Sequence, residues 1–187
     1  MRTAACLLCV LLVAGCGTLT GIDSHYPSQW HVVTDTPKTC VSFEGMYDNK
    51  GATKYPHNGG PRYLSIRFGL EFDSHEELEA VSSVRLSCRT DDTLLVEALS
   101  NGSVVQSREI MRSPGTWDIE GARMIFPTEN RSSAEVVGGV AKYVSFSLHI
   151  ATNGALIGEE ASRVGSLAFW VIPVGGKQTF WFNWARR

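Results

Sequence analysis

Val84-Arg85-Leu86-Ser87-Cys88-Arg89-Thr90-Asp91-Asp92-Thr93-Leu94-Leu95-Val96-Glu97-Ala98-Leu99-Ser100-Asn101-Gly102-Ser103-Val104 is the stretch whose reading decides the fold. Val84, Leu86 and Cys88 alternate with Arg85 and Ser87, the period of two that puts one face of a strand in a core and the other in water. Asp91-Asp92 turns the chain, and Leu94, Val96 and Ala98 repeat the alternation. Asn101-Gly102 follows, two residues that tolerate positive φ and so suit the tight turn of a β-hairpin. Val104 to Met111 is the return strand. Strands of about eight residues with a turn at each end describe an antiparallel sheet.

The same grammar continues toward the C-terminus. Ser113-Pro114-Gly115 turns, Trp117 to Glu120 extends, Gly121 reverses and Met124 to Phe126 comes back. Asn130 to Ser133 reads as a loop, and Gly138-Gly139 interrupts the next apolar run. Tyr143 to Ala151 places Val144, Phe146, Leu148 and Ile150 on one face, and Asn153-Gly154 supplies a second tight hairpin. Ala155 to Arg163 is its return arm, Leu167 to Val174 a continuous apolar strand, Gly175-Gly176-Lys177 a turn and Thr179 to Trp184 the last strand.

Upstream the signals are more mixed. In Arg62 to Phe72, Leu64, Ile66, Phe68, Leu70 and Phe72 alternate as in a strand, while Leu64, Phe68 and Phe72 also recur at helical spacing. Gly69 favours the strand. Ser74 caps a short helical turn over His75 to Glu79, and Gly51 to Pro61 is a loop holding His57. Val41 and Phe43 suggest a first strand from Cys40, with Gly45 as a kink. The expected fold is all-β, an antiparallel meander of eight to ten strands in one domain over 40–187. A meander that long hides its edges by closing or folding over. A lipocalin-like up-and-down barrel is the first expectation and a two-sheet sandwich the second.

The N-terminus states an address. Arg2 precedes an apolar run of eleven residues, Ala4 to Ala14, too short for the roughly 20 residues that cross a bilayer as a helix. That layout belongs to an export signal. Leu12-Val13-Ala14-Gly15-Cys16 resembles the lipobox of bacterial lipoproteins, with small residues before a cysteine. The resemblance implies cleavage after residue 15, fatty acylation (palmitate-type chains) at Cys16, and membrane attachment through it. Residues 16–39 then form a lipidated tether, although Trp30 and Val32-Val33 have the character of either a short strand or a patch docked on the body. Gly17 stands where lipoproteins kept in the inner membrane carry Asp, which implies the periplasmic face of the outer membrane. Gly45-x-Tyr47-x-Asn49-x-Gly51 is similar to the opening of many small Gram-negative lipoproteins of unassigned activity.

Composition narrows the function classes. Without residues 1–15, whose only charge is Arg2, 172 residues remain with 16 basic against 19 acidic side chains. That balance argues against a nucleic-acid partner. Cys6 and Cys9 leave with the signal, so Cys40 and Cys88 remain as a pair in an oxidising compartment. A bridge between them closes a loop of about 48 residues, worth roughly 4 kcal/mol in the chain-entropy picture; two buried free thiols are the alternative.

No residue set points to catalysis. The five histidines, His25, His31, His57, His75 and His149, are never paired at metal spacing, and His75-Glu76 lacks the second histidine of a zinc helix. Gly-x-Ser-x-Gly is absent, and Gly165-Ser166 reads as a turn. Glu159 and Glu160 are adjacent, so on a strand they face opposite sides and cannot share a proton. The chain is therefore read as a non-enzyme without cofactor or metal. The one concentration is aromatic: Phe169, Trp170, Phe180, Trp181, Phe182 and Trp184. Phe180, Phe182 and Trp184 share a face of the last strand, with Trp181 opposite. Core filling is the simplest role, and with Trp170 the set is also a candidate patch for an apolar ligand or a partner. Three functions are compatible: an anchored interaction module, a carrier of lipid or another small hydrophobe, and an inhibitor or immunity protein for a secreted toxin.

Overall fold

The computed structural model describes residues 25–36, 38–53, 63–135, 138–168 and 172–187. The segment expected to be a signal, with Cys16, His57, Phe169 and Trp170, lies outside the described residues. The chain is all-β, with its described strands in two antiparallel sheets and no closed barrel among the described residues. The first sheet has the order β1-β3-β4-β5, from Gly45–Asp48 (β1), Ser83–Thr90 (β3), Thr93–Ser100 (β4) and Ser103–Met111 (β5). The second follows the path β2-β11-β10-β9-β7-β6. It is built from Ala52–Thr53 (β2), Ile172–Trp184 (β11), Leu156–Ala168 (β10), Gly138–Ile150 (β9), Arg123–Ile125 (β7) and Asp118–Glu120 (β6), with Glu129–Glu135 (β8) also on β9.

By contacts the chain forms two compact units. The smaller includes Thr128–Val144 and Ala161–Thr179, where β8 runs antiparallel to β9 from the pair Glu129/Val144 to the pair Glu135/Gly138. The larger comprises His25–Pro127, Ser145–Glu160 and Phe180–Arg187. Its core is one cluster that draws Val84, Leu86, Leu94, Val96 and Ala98 from the first sheet and Met124, Leu148, Leu156, Phe182 and Trp184 from the second.

The hairpin turns fall where Asn-Gly places them. Asn101 and Gly102 have φ of 50° and 81°, and Gly154 has 81°. Ser74 caps the helix His75–Ala80 (α2) by accepting from the Glu77 amide at 3.1 Å.

Several expectations are corrected. In the expected strand Arg62 to Phe72, the described residues from Tyr63 onward do not form one: Leu64–Arg67 (α1) is a helical turn. Gly69, at φ 69°, closes it in the left-handed conformation. The Gly69 amide donates to the Ile66 carbonyl at 3.0 Å and the Leu70 amide to that of Ser65 at 3.1 Å, the paired bonds of a glycine-terminated helix end. Cys40–Phe43 is a 3₁₀ turn, and the first strand begins only at Gly45. Gly165-Ser166 and Gly175-Gly176-Lys177 are not turns but lie inside the thirteen-residue strands β10 and β11. None of these glycines has the positive φ that makes glycine a turn residue. Asn130 to Ser133 is not a loop but belongs to β8, where β9 provides its backbone partners.

Candidate functional site

The Cys40 and Cys88 sulfurs are joined as a disulfide, with Cα atoms 6.0 Å apart. It ties the turn before β1 to the far end of β3, and Glu44 reinforces that corner by accepting from the Cys88 amide at 2.7 Å.

The Gly-x-Tyr-x-Asn-x-Gly stretch is built into the core. The Tyr47 hydroxyl is buried and donates to the Phe43 carbonyl at 2.9 Å. Burial pushes its pKa up to about 12, against the opposing charge of Arg186. Asn49, fully buried, donates to the Val81 carbonyl at 3.2 Å and accepts from the Ser65 amide at 3.0 Å, which seats α1 on the sheet. Gly51 leaves room for the Trp184 indole: a Cβ there would stand 2.6 Å from Nε1.

The aromatic ending divides between the two sides of β11. Phe182 and Trp184 are buried and Phe180 packs against them from the same face. Trp181, on the other face, packs with Tyr26, Trp30, Val33, Ala151, Ala155 and Ile157 in a second cluster. The described members therefore do not form one continuous patch.

Two polar constellations flank β10. On the core side, Arg67 Nη1 meets Glu160 Oε2 at 2.6 Å, and its guanidinium lies between the Phe146 and Phe182 rings, 4.9 Å from each centroid. Its Nε and Nη2 are buried without a hydrogen-bond partner. Two cation–π contacts and one short ion pair offset part of that cost. On the opposite side, His149 Nε2 lies 3.5 Å from Glu159 Oε2 and 3.3 Å from Ser147 Oγ. Glu159 and Glu160 thus face opposite ways. The Ser-His-Glu set is not a nucleophile relay, because that chemistry needs the acid on one imidazole nitrogen and the hydroxyl on the other. Here both address Nε2.

Residues 25–36 are docked on the body, so the tether expected over 16–39 is strapped down for much of its length. Tyr26 packs edge-on against Trp181 with centroids 5.1 Å apart and against Trp30 at 6.0 Å. Val33 bridges to Ala151, the Thr34 amide donates to the Ile150 carbonyl at 2.9 Å, and the Thr152 amide donates to the Val32 carbonyl at 2.9 Å. Lys38 continues the attachment with its amide on the Gly121 carbonyl at 2.9 Å. The reason is burial: Tyr26, Trp30 and Val33 lie on an apolar strip of Ala151, Ala155 and Ile157. The earlier sign of it was the apolar content of Trp30 and Val32-Val33 in a polar segment.

One surface feature escaped the sequence. β5 is exposed along nearly all of its nine residues and carries Val104, Val105 and Met111 among the exposed large hydrophobics. It is the last strand of its sheet, and among the described residues no backbone hydrogen bond reaches the outward side of Ser103–Glu109. Mid-strand, the Gln106 and Arg108 side chains donate to the Glu71 and Gly69 carbonyls at 3.1 and 2.9 Å, and at the far end Trp117 Nε1 donates to the Ile110 carbonyl at 3.0 Å and Thr116 Oγ1 to that of Met111.

Compared with protein-family models, curated proteins and solved structures, the chain matches none.

Proposed function

We propose that the chain is a lipid-anchored envelope lipoprotein, facing the periplasm from the outer membrane, that acts as a non-catalytic binding module. We read its architecture as a two-sheet sandwich with a filled core. The barrel alternative would need a further strand pairing to join the open ends of the two sheets. The anchor rests on Leu12-Val13-Ala14-Gly15-Cys16 and its resemblance to a lipobox. The binding role rests on one observation, an edge of β5 that pairs with no other strand among the described residues. A row of free N–H and C=O groups is a template for an extended segment of another protein, with neighbouring apolar side chains adding contact area. A lipid or hydrophobe carrier would need an open cavity, and the described aromatics suited to line one, Phe182 and Trp184, are packed into the core. An inhibitor or immunity role is one form of the binding reading, with a toxin as the partner.

The test is photocrosslinking in cells from position 105, with exposed position 90 as control. The proposal expects a discrete protein adduct from 105 that is absent from 90 and reduced when Cys16→Ser removes the anchor. No adduct from 105, together with a defined lipid carried through purification, would overturn it in favour of the carrier.

A further inference from the structure

We infer that residues 25–36 are a strap that keeps the anchor leash short and turns the strap-bearing side of the second sheet toward the bilayer; this rests on the lipoprotein reading above. The surface is the outward face of Trp30 and Val32, and its occupant is the membrane that holds the acyl chains of Cys16.

The argument is one of reach. From Cys16 to His25 the chain has nine Cα steps, which span at most about 30 Å fully extended. If the chain came free as far as Lys38, the leash would have 22 steps and a reach of about 75 Å. The strap removes the difference. It does so through contacts of several kinds: the Tyr26 stack on Trp181, the Val33 bridge to Ala151, the double hold of Thr34 amide and hydroxyl on the Ile150 carbonyl, and the Lys38 bond to Gly121. Tyr26 closes the bend internally by donating to the His31 carbonyl at 2.5 Å. A flexible spacer requires none of these.

The outward side of the strap fits a membrane interface. Val32 is 70% exposed although Val33 beside it is half-buried, and Trp30 keeps part of its ring in solvent while its other side packs on Tyr26. An amphipathic indole next to an exposed aliphatic side chain suits the headgroup level of a bilayer. Held on so short a leash, this side is the one that meets the membrane. The open edge of β5 is free of that leash constraint and keeps its backbone for a partner.

The experiment uses the full lipidated chain in phosphatidylethanolamine–phosphatidylglycerol vesicles. Flotation comes first: loss of flotation in Cys16→Ser supports the anchor, and failure of the unaltered protein to float would overturn the lipoprotein reading itself. In the floating protein, a photocrosslinker at position 32 is expected to form lipid adducts several-fold more often than one at position 104. Equal or reversed labelling in protein that floats would overturn this inference and leave the anchor standing. The strap is then released by the double change Tyr26→Ala and Trp30→Ala, or independently by Trp181→Ala. Energy transfer from a fluorophore at position 152 to acceptor lipids is expected to fall to about half or less as the leash lengthens, with the circular dichroism spectrum unchanged. Undiminished transfer in both variants would show that the strap does not set the distance.

Discussion

The two edges of the four-stranded sheet are finished in opposite ways. Along β1 the chain's last residues lie down as cover: the Asp48 amide donates to the Ala185 carbonyl at 2.9 Å, the Arg187 amide donates to that of Met46 at 2.8 Å, and Arg187 Nε meets Asp48 Oδ1 at 2.6 Å. Along β5, among the described residues, no comparable backbone cover lies on Ser103–Glu109. The covered edge adjoins Tyr47, Trp184 and the disulfide, where opening would expose the core. The open edge carries a register shift opposite Ala98/Leu99, an irregularity of the kind that discourages edge-to-edge pairing.

The comparison can be broken by perturbing each edge and asking whether stability or binding responds. The largest effect is expected at Trp184→Ala, which empties the seat beside Gly51 and loosens the residues that cap β1; urea unfolding is expected to show a loss of about 3–5 kcal/mol. The paired change Cys40→Ser and Cys88→Ser follows, with a loss of roughly 2–4 kcal/mol, checked by unfolding of the oxidised and reduced protein. Alkali comes next. The Tyr47 pKa is raised from 10.0 to about 12, so its contribution is whole below pH 10 and is lost as pH rises through 12. Across that window roughly 2–3 kcal/mol is expected to disappear, and Tyr47→Phe is expected to flatten that part of the profile. Deleting Arg186-Arg187 removes one backbone bond, one exposed ion pair and the Arg186 side-chain bond to the Glu44 carbonyl, for about 1–2 kcal/mol, with faster amide exchange in β1 as the sharper readout. At the other edge Val105→Lys is expected to change stability by less than about 0.5 kcal/mol while abolishing the crosslinked adduct. A large stability loss there would mean that β5 serves the fold and not a partner.

How far the sequence could be read depended on whether a signal was local. Asn101-Gly102 and Asn153-Gly154 announce their turns because their backbone conformations are costly for most other residues. The period-two runs of β3 and β4 announce a buried face in the same local way. Leu64 to Phe72 defeats that method, since one set of apolar residues satisfies both periods, and the deciding bonds come from Asn49, fifteen residues upstream of Leu64 at the nearest. Gly165 of β10 and the Gly175-Gly176 pair of β11 mislead for the converse reason: glycine permits a turn without requiring one. The candidate edge was invisible because a strand's place in a sheet is a property of its neighbours. Nothing in Ser103 to Met111 says that no further strand will join it. The strap was half legible, as Trp30 and Val33 gave the cause but not the strip they cover.

The seat of Trp184 bears on descent as well as on stability. A Cβ at Gly51 would stand 2.6 Å from the indole Nε1, and one at Gly158 would stand 2.7 Å from Cζ3 on its other side. The two glycines are a mould of one side chain, set more than a hundred positions apart in the chain. A lineage that shrank this tryptophan would release both sites from constraint at once, and one that filled either glycine would have to give up the tryptophan. The three positions are therefore expected to drift as a single character.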